Sequence, residues 1–247
     1  MELMECLGTL PPALRNVTVS LVPKPKGGFR PIGIYVAVHR LWVKARMLEI
    51  REWERSHKRK YIAGDNATGA LDVVWTQAVR AEAGVGEQKH TGAWLGDMKS
   101  FFDSIDHDVL AVGVEEHDFP KAIYGCAMAA YKAPRTLQTR DGVADTIHPT
   151  VGILAGCGIA KALTTLYYLT QVDAFIARHP FVNVTIYIDD IHISCTHHDR
   201  EMVAKLLTAA VMDFFGIITT ELLCSLAPGK EAVVASDDEL ASDIRQR

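Results

Sequence analysis

The chain has 247 residues, of which 49% are hydrophobic and 23% are charged, and its net charge is −4. This composition excludes a wholly disordered chain, and the length suffices for one large domain or two smaller lobes. Five widely spaced cysteines without a CxxC pair favour reduced thiols inside the cell over a disulfide framework. The acidic N-terminus and the lack of a run of about 18 apolar residues predict a soluble protein without a signal peptide or a membrane partner.

The charge is divided unevenly along the chain. Residues 1–60 hold 12 Lys and Arg against 5 Asp and Glu, whereas residues 61–247 hold 14 against 25. A basic segment beside an acidic one is typical of a lobe that contacts phosphates and a lobe that holds metal. For the stretch 51–60 alone, a solvated charged helix is an equally good interpretation.

Hydrophobic periodicity predicts the elements of the first half of the chain. A Pro- and Gly-rich turn separates the first two strands, which therefore form a hairpin with a basic tip. Asp106 or Ser104 can cap the helix that ends near Val114. The predicted strands lie at 17–22, 29–36 and 93–98, and the predicted helices at 38–53, 68–83 and 106–114.

The second half has an equally regular pattern. Alternating apolar residues on both sides of Asp189 and Asp190 predict a β-hairpin with the two acids at its tip. Gly216 is expected to end the helix that precedes the C-terminal region, and the polar tail after Ser236 is expected to fray. The other predicted elements are helices at 119–131, 160–178 and 199–215 and a mixture of strand and loop at 132–149.

This order of elements predicts an α+β fold that contains a split βαβ sheet. The strand, long insertion, hairpin and helices indicate a ferredoxin-like antiparallel sheet with helices on one face. Asp97 then lies at one strand end and Asp189 at the tip of the adjacent hairpin. The two acids can meet although they are 92 positions apart in the sequence.

Two acidic motifs contain the candidate catalytic residues. They are Asp97-Met98-Lys99-Ser100-Phe101-Phe102-Asp103 and Tyr187-Ile188-Asp189-Asp190. Phosphoryl transfer by two metal ions needs carboxylates from separate segments that converge on one place. A plain turn is the commoner meaning of a lone Asp-Asp pair, and the upstream motif argues against it here.

Five segments, in order along the chain, resemble the motifs of reverse transcriptases of the non-LTR retrotransposon and group II intron type. They are 21–32, with the sequence LVPKPKGGFRPI, 64–71, with GDNATGAL, and 97–110, 152–168 and 186–191. The resemblance implies the fingers and palm of a right-hand polymerase without a thumb. Fingers are expected at 1–92 and 113–150, palm at 93–112 and 151–235, and a polar tail at 236–247.

The resemblance also implies the roles of individual residues. Asp97, Asp189 and Asp190 would be catalytic, and Asp97 and Asp189 would bind metal together with Met98. Lys24 and Arg30 would contact the incoming triphosphate. The planar Arg guanidinium can donate two hydrogen bonds to phosphate oxygens, and the Lys ammonium supplies a compact positive charge. A role for Lys26 is as well explained by an ordinary cation at a hairpin tip.

The remaining substrate residues come from three further segments. Phe102 would pack under the sugar and exclude a 2′-hydroxyl, although a buried Phe at that place can be ordinary core. Gly156 would position template and nucleotide, but Ala155 stands where the family has Gln, and Ala160-Lys161 where it has Ser-Pro. Lys230 would protonate the leaving pyrophosphate, in a segment that aligns only loosely.

The implied activity is RNA-templated DNA synthesis with Mg²⁺ as a pair of ions, for which Mn²⁺ could substitute. The implied partners are an RNA template, a DNA or RNA primer and dNTPs. An RNA-dependent RNA polymerase is one alternative, and a non-catalytic RNA-binding relic of a retroelement is another. The host compartment, nucleus or cytoplasm, is left open.

Two further groups of residues are given structural interpretations. His192 and Cys195 fall on opposite faces of their strand, which argues against a zinc site with His197 and His198. The acids Asp103, Asp106 and Asp108 are expected to cap helices rather than to bind metal.

Overall fold

The computed structural model of the chain describes residues 2–25, 27–64, 69–139 and 142–247. The chain divides into two compact units, a first unit of residues 1–57 and 102–167 and a second unit of residues 58–101 and 168–247. Lys26 and residues 65–68, half of the segment 64–71 that resembles the second motif, lie outside the described residues. The assignment of segments to fingers and palm stays a prediction.

Helices and strands are interspersed along the described residues. The helices are α1 Glu2–Leu7, α2 Ala37–Ser56, α3 Ala70–Gly86, α4 Phe101–Ser104, α5 His107–Glu116, α6 Lys121–Tyr131, α7 Ala160–Arg178, α8 Arg200–Gly216 and α9 Asp238–Gln246. The strands are β1 Val17–Pro23, β2 Phe29–Ile34, β3 His90–Asp97, β4 Arg135–Thr139, β5 Gly142–Ile147, β6 Val182–Tyr187, β7 Asp190–His197 and β8 Ala232–Ala235.

The first unit is built on a four-stranded sheet with the order β2-β1-β4-β5. The pairs β1–β2 and β4–β5 are antiparallel hairpins, and β1 and β4 join them in parallel. Large apolar side chains of α2, α5 and α6 form the core, including Trp42, Ile50, Trp53, Leu110 and Tyr131.

The second unit is built on a four-stranded antiparallel sheet with the order β6-β7-β3-β8. This is the strand order of a split βαβ sheet, so the predicted α+β class and its antiparallel sheet are confirmed. Helices α8 and α9 cover one face. A Cβ on Gly92 of β3 would lie 2.9 Å from Ile244 of α9 and 3.1 Å from Val203 of α8.

The prediction that helices lie on only one face of this sheet was wrong. A Cβ on Gly84 of α3 would lie 2.6 Å from Cγ2 of Thr91 and 2.9 Å from Cγ2 of Thr196. Because Thr91 and Gly92 are consecutive in β3, they point to opposite faces. Helix α3 therefore lies on the face opposite α8 and α9, and glycine at position 84 permits its close approach.

The C-terminal region is more ordered than its composition suggests. Helix α8 ends at Gly216, as expected, and a π-helical turn, Ile217–Glu221, follows it directly. The tail after Ser236 does not fray. It forms α9, in which Leu240, Ala241 and Ile244 are buried and the Asp237 carboxylate accepts a hydrogen bond from the Leu240 N–H at 2.8 Å. Strand β8 was not predicted from the sequence.

The helical stretch Arg200–Glu221 has the length and apolar composition of a membrane-crossing helix, although none was expected from the sequence. In the structure, α8 packs against β3 and β7. It buries Val203, Ala204, Leu207, Ala210 and Phe214. Packing on the sheet therefore accounts for the apolar composition of this stretch.

Gly152 provides a test of the packing of the first unit. Its φ is +85°, and a Cβ would lie 2.7 Å from the Asp103 carbonyl oxygen. We expect Gly152→Ala to lower the free energy of unfolding by roughly 2–4 kcal/mol, because backbone strain and a backbone clash add together. Urea unfolding measures the change.

Gly8→Ala is the matched control. Gly8 also has a positive φ of +56°, but no heavy atom lies within 4 Å of its added Cβ. This variant should lose only about 1 kcal/mol, which is the conformational contribution alone. Equal losses in the two variants would show that the Asp103 carbonyl does not constrain position 152.

Candidate active site

The two acidic motifs meet through strand pairing in the second unit. Strands β3 and β7 are antiparallel, and the last pair of their register is Asp97 with Asp190. Directly opposed residues point to the same face with Cβ atoms about 4.5–5.5 Å apart. Both acids line a cavity of about 520 Å³ under the N-terminal half of α3, together with Lys230.

The turn between β6 and β7 carries the third acid. Tyr187 pairs with Asp190, so Ile188 and Asp189 form a two-residue turn. Ile188 has a φ of +61°, which is unfavourable for a β-branched residue and costs about 1–3 kcal/mol. The Met98 N–H donates to the Asp189 carbonyl oxygen at 3.1 Å. This bond fastens the turn directly to the chain that follows Asp97.

The three acids and one lysine form a single electrostatic group. Burial raises the pKa of Asp189, and the charges of Asp190 and Asp97 raise it further. Burial and the charge of Asp97 raise the pKa of Asp190 in the same way. Lys230 forms an ion pair with Asp97, and this bond raises the pKa of the lysine. The ammonium group therefore offsets part of the carboxylate repulsion.

The acids are suited to Mg²⁺, which prefers oxygen ligands and binds polymerase sites through one or two carboxylates plus substrate phosphates. Asp97 and Asp190 supply two such carboxylates side by side. In the described part of the chain, no three His, Cys, Asp or Glu side chains already form a metal centre. The buried thioether of Met98 is a poor ligand for a hard cation. Metal binding by Asp97, Asp189 and Met98 stays a prediction.

Residues 61–64 contact strand β6, which leads into the turn of Ile188 and Asp189. The sequence did not predict these contacts. The Ala63 N–H donates to the Ile186 carbonyl at 2.9 Å, and the Tyr61 hydroxyl donates to Asp173 at 2.7 Å. Gly64 has a φ of +80°, and a Cβ there would lie 2.6 Å from the Tyr187 ring. Gly64 is the first residue of the segment 64–71 that resembles the second family motif, but that resemblance did not predict its contact with Tyr187.

The two predicted phosphate ligands lie on the β1–β2 hairpin of the first unit. The Lys24 N–H donates to the Gly28 carbonyl at 3.0 Å, and Arg30 pairs with Val22. Both side chains are exposed. Neither forms an ion pair with a carboxylate in the described ranges, so both cations are available to bind a phosphate.

A glycine loop, residues 152–158 with Gly152, Gly156 and Gly158, connects the β1–β2 hairpin with Phe102. The Gly33 N–H of β2 donates to the Ala155 carbonyl at 3.0 Å, and the Ile153 N–H donates to the Phe102 carbonyl at 2.7 Å. Gly156 has a φ of +100°, and a Cβ there would lie 3.0 Å from the Gly33 carbonyl oxygen. Backbone hydrogen bonds thus join half-buried Phe102, the loop that contains Gly156 and the strand that contains Arg30. Ala155 contributes through its backbone alone.

Arg135 donates a hydrogen bond to this loop, and no sequence pattern identified this residue. Its guanidinium donates to the Gly152 carbonyl at 3.2 Å and to the Tyr131 carbonyl at 3.1 Å. Burial lowers the pKa of Arg135. Burial raises the pKa of Asp103, and the positive charges of Arg135 and Lys24 oppose that rise. A single Arg in a short strand has no signature that separates it from an ordinary surface cation.

The structural interpretations of the other polar residues are confirmed in part. Asp106 caps α5 and accepts bonds from the Asp108 and Val109 N–H groups, but Asp103 and Asp108 are not caps. Asp103 lies within α4, and Asp108 lies in the first turn of α5. The side chain of His192 lines the cavity, whereas Cys195 is buried.

Comparison with known proteins supports the fold. No family model and no curated protein matches the sequence. Apo telomerase from Candida tropicalis, truncated from its C-terminal domain, superposes with a TM-score of 0.63 at 12% identity over 93% of this chain and 52% of that one. Telomerase from Candida albicans in complex with a fragment of telomeric RNA gives 0.62 at 11% identity over 92% of this chain and 44% of that one.

These similarities establish the fold alone. The chain has a fold like that of the Candida telomerases. It spans about half or less of the length of the telomerases that it matches. The retrotransposon or group II intron type stays a prediction.

The raised pKa of Asp189 predicts that this acid destabilises the chain at neutral pH. The folded state binds the proton more tightly than the unfolded state, so the resulting stability is present at low pH and lost as the pH rises through the folded pKa. We expect Asp189→Asn to raise the Tm at pH 7. The gain should disappear below the ordinary aspartate pKa of 3.8. Thermal unfolding at several pH values measures this difference.

Asp213→Asn is the control of opposite sign. Burial alone would raise the pKa of Asp213, but hydrogen bonds from His179 and Arg178 lower it overall. The carboxylate therefore stabilises the chain above that pKa, and the substitution should lower the Tm at pH 7. A fall in the Tm of Asp189→Asn at pH 7 would contradict the repulsion assigned to Asp189.

Proposed function

We propose that this chain is the catalytic core of a template-directed nucleotide polymerase, and that it synthesises DNA on an RNA template. The observation that carries the proposal is the pairing of Asp97 with Asp190 beside the Asp189 turn. The telomerase-like fold supports the same class of reaction. Carboxyl groups with raised pKa values that lie close together are characteristic of functional sites.

In this proposal, Asp97 and Asp189 hold Mg²⁺, and Asp190 is the flanking acid. When bound, Mg²⁺ would activate the primer 3′-hydroxyl and neutralise charge on the triphosphate. Lys230 forms an ion pair with Asp97, which places its ammonium group at the site. In this proposal the ammonium group donates a proton to the departing pyrophosphate.

The first unit would contribute recognition of substrate and template. Lys24 and Arg30 are assigned to the triphosphate because they are exposed cations on one hairpin. The excess of Lys and Arg over residues 1–60 suits an RNA backbone. One of the matched telomerases is described in complex with an RNA fragment. RNA is therefore the proposed template.

The carboxylates provide the direct test of catalysis. Asp97→Ala and Asp189→Ala should each reduce Mg²⁺-dependent primer extension on an RNA template to background, because each removes a metal ligand. Asp190→Asn should be milder than Asp189→Asn, since the flanking acid contributes only charge. Extension of a labelled primer by the purified chain measures all four variants.

Asp238→Ala is the matched control for these variants. Asp238 is an exposed acid in the first turn of α9, within the same unit. This variant should extend primers at the wild-type rate. Extension by Asp97→Ala or Asp189→Ala at that rate would refute the site.

Phe102 provides the test of sugar choice. We propose that its ring blocks a 2′-hydroxyl, so Phe102→Val should lower the ratio of kcat/KM for dNTP over rNTP about tenfold or more, while the metal site survives. Single-nucleotide incorporation with dNTP and rNTP in separate reactions measures the ratio. The exposed Phe181 gives a control, Phe181→Val, whose ratio should not change.

Two results would contradict the assignment to DNA synthesis. An unchanged ratio in Phe102→Val would make this residue ordinary packing. A wild-type preference for rNTP would identify the chain as an RNA-dependent RNA polymerase.

A non-catalytic RNA-binding role is the second candidate. It is favoured by the ion pair that occupies Asp97 and by the lack of a ready-made three-residue metal centre in the described ranges. RNA binding that weakens steeply with salt, without extension in Mg²⁺ or Mn²⁺, would support that role.

A further inference from the structure

Helix α3 has its apolar side turned toward the solvent. Five large apolar residues of this helix are exposed, with Leu71 77% and Trp75 69% accessible. Gly84 is the one buried residue within α3. A surface helix of a globular protein normally shows the reverse arrangement, with apolar residues toward the core and polar residues toward water.

The exposed residues form one continuous stripe. At about 100° per residue they lie within an arc of about 140° whose centre is about 150° from Gly84. Val74 and Val85, at one edge of this arc, also line the cavities between α3 and the sheet. We call them the α3 stripe: Leu71, Val74, Trp75, Ala78, Val79 and Val85. Single exposed apolar residues are ordinary, but a contiguous patch centred on Trp is typical of an interaction surface.

The charges near the stripe favour a protein partner over a lipid surface. Helices that lie on membranes carry Lys and Arg beside their apolar face. Here Asp72 and Glu82 lie on or beside the stripe, and Arg80 lies on the far side of the helix. Anionic headgroups would therefore be repelled.

Part of the stripe is complementary to itself in the antiparallel direction. With a twofold axis at Ala78, Leu71 of one helix lies opposite Val85 of the other, and Trp75 lies opposite the small Ala81. The paired segment is about 21 Å long at 1.5 Å per residue. Leu71 and Trp75 thus meet an apolar and a small residue, whereas Val74 and Val79 lie opposite Glu82 and Gln77.

We propose that α3 is the contact of a homodimer, in which the α3 stripes of two copies pack antiparallel around Ala78. The exposed side chains of the stripe offer roughly 600 Å² per copy. Two copies would then bury about 1,200 Å², which is the lower limit of a standard stable interface. The dimer does not depend on polymerase activity.

Trp75 makes the proposal directly measurable. The chain has four Trp residues, and the other three, Trp42, Trp53 and Trp94, are at most 5% exposed. The fluorescence that acrylamide can quench therefore comes mainly from Trp75. Quenching should decrease as the protein concentration rises through the micromolar range, while sedimentation equilibrium reports a mass of two chains.

Substitution of the stripe should abolish the dimer without unfolding the chain. Trp75→Glu and Val79→Glu change exposed side chains, so circular dichroism should match wild type, whereas the mass should remain that of one chain. The matched control is Phe181→Glu, which changes an equally exposed apolar residue outside α3. It should dimerise as wild type does.

A cross-link tests the antiparallel register. In a Cys6→Ser background, which removes the exposed native thiol, Ala78→Cys should form a disulfide-linked dimer under mild oxidation. Residues that face each other across a twofold helix crossing come within disulfide range. Ala83→Cys is the control, because position 83 lies about 140° around the helix from position 78.

The proposal is overturned if the chain sediments as a monomer up to about 100 µM, a concentration at which a weak standard-size interface forms. A dimer that persists in Trp75→Glu would also overturn it. Protection of Trp75 by anionic phosphatidylserine vesicles, without dependence on protein concentration, would assign the stripe to a membrane instead.

Discussion

The antiparallel pairing of β3 with β7 is the constraint on which the candidate site depends. Its register ends with Asp97 opposite Asp190, and a shift by one residue would turn one of these acids to the other face. The bond from the Met98 N–H to the Asp189 carbonyl extends the same pairing beyond the end of the strands. Backbone hydrogen bonds thus keep Asp97, Asp189 and Asp190 next to one another at the end of the β3–β7 pair.

The site has a cost in stability that the surrounding sheet must offset. Burial and like charges raise the pKa values of Asp189 and Asp190, and Ile188 occupies an unfavourable backbone conformation. The buried strands β3, β6 and β7 and helix α8 supply the compensating apolar burial. Such concentration of strain and perturbed carboxylates is characteristic of functional sites.

The two units hold their candidate residues by different means. In the second unit, strand register positions the acids. In the first unit, main-chain hydrogen bonds join the glycine loop to β2 and to Phe102, and the Arg135 side chain donates a further bond to the Gly152 carbonyl. Because the bond to β2 is made by the carbonyl of Ala155, it does not depend on the side chain at that position.

The sequence alone determined the main elements, the split βαβ order and the convergence of Asp97 with the acids of the 187–190 hairpin, because local periodicity and strand alternation encode them. Only the tertiary structure decided which face of the sheet α3 covers, since Gly84 permits close approach but specifies no side. It also placed Leu240 and Ile244 in the core and Lys230 against Asp97. Contacts such as Gly64 with Tyr187 join residues more than 100 positions apart, and no local pattern records that proximity.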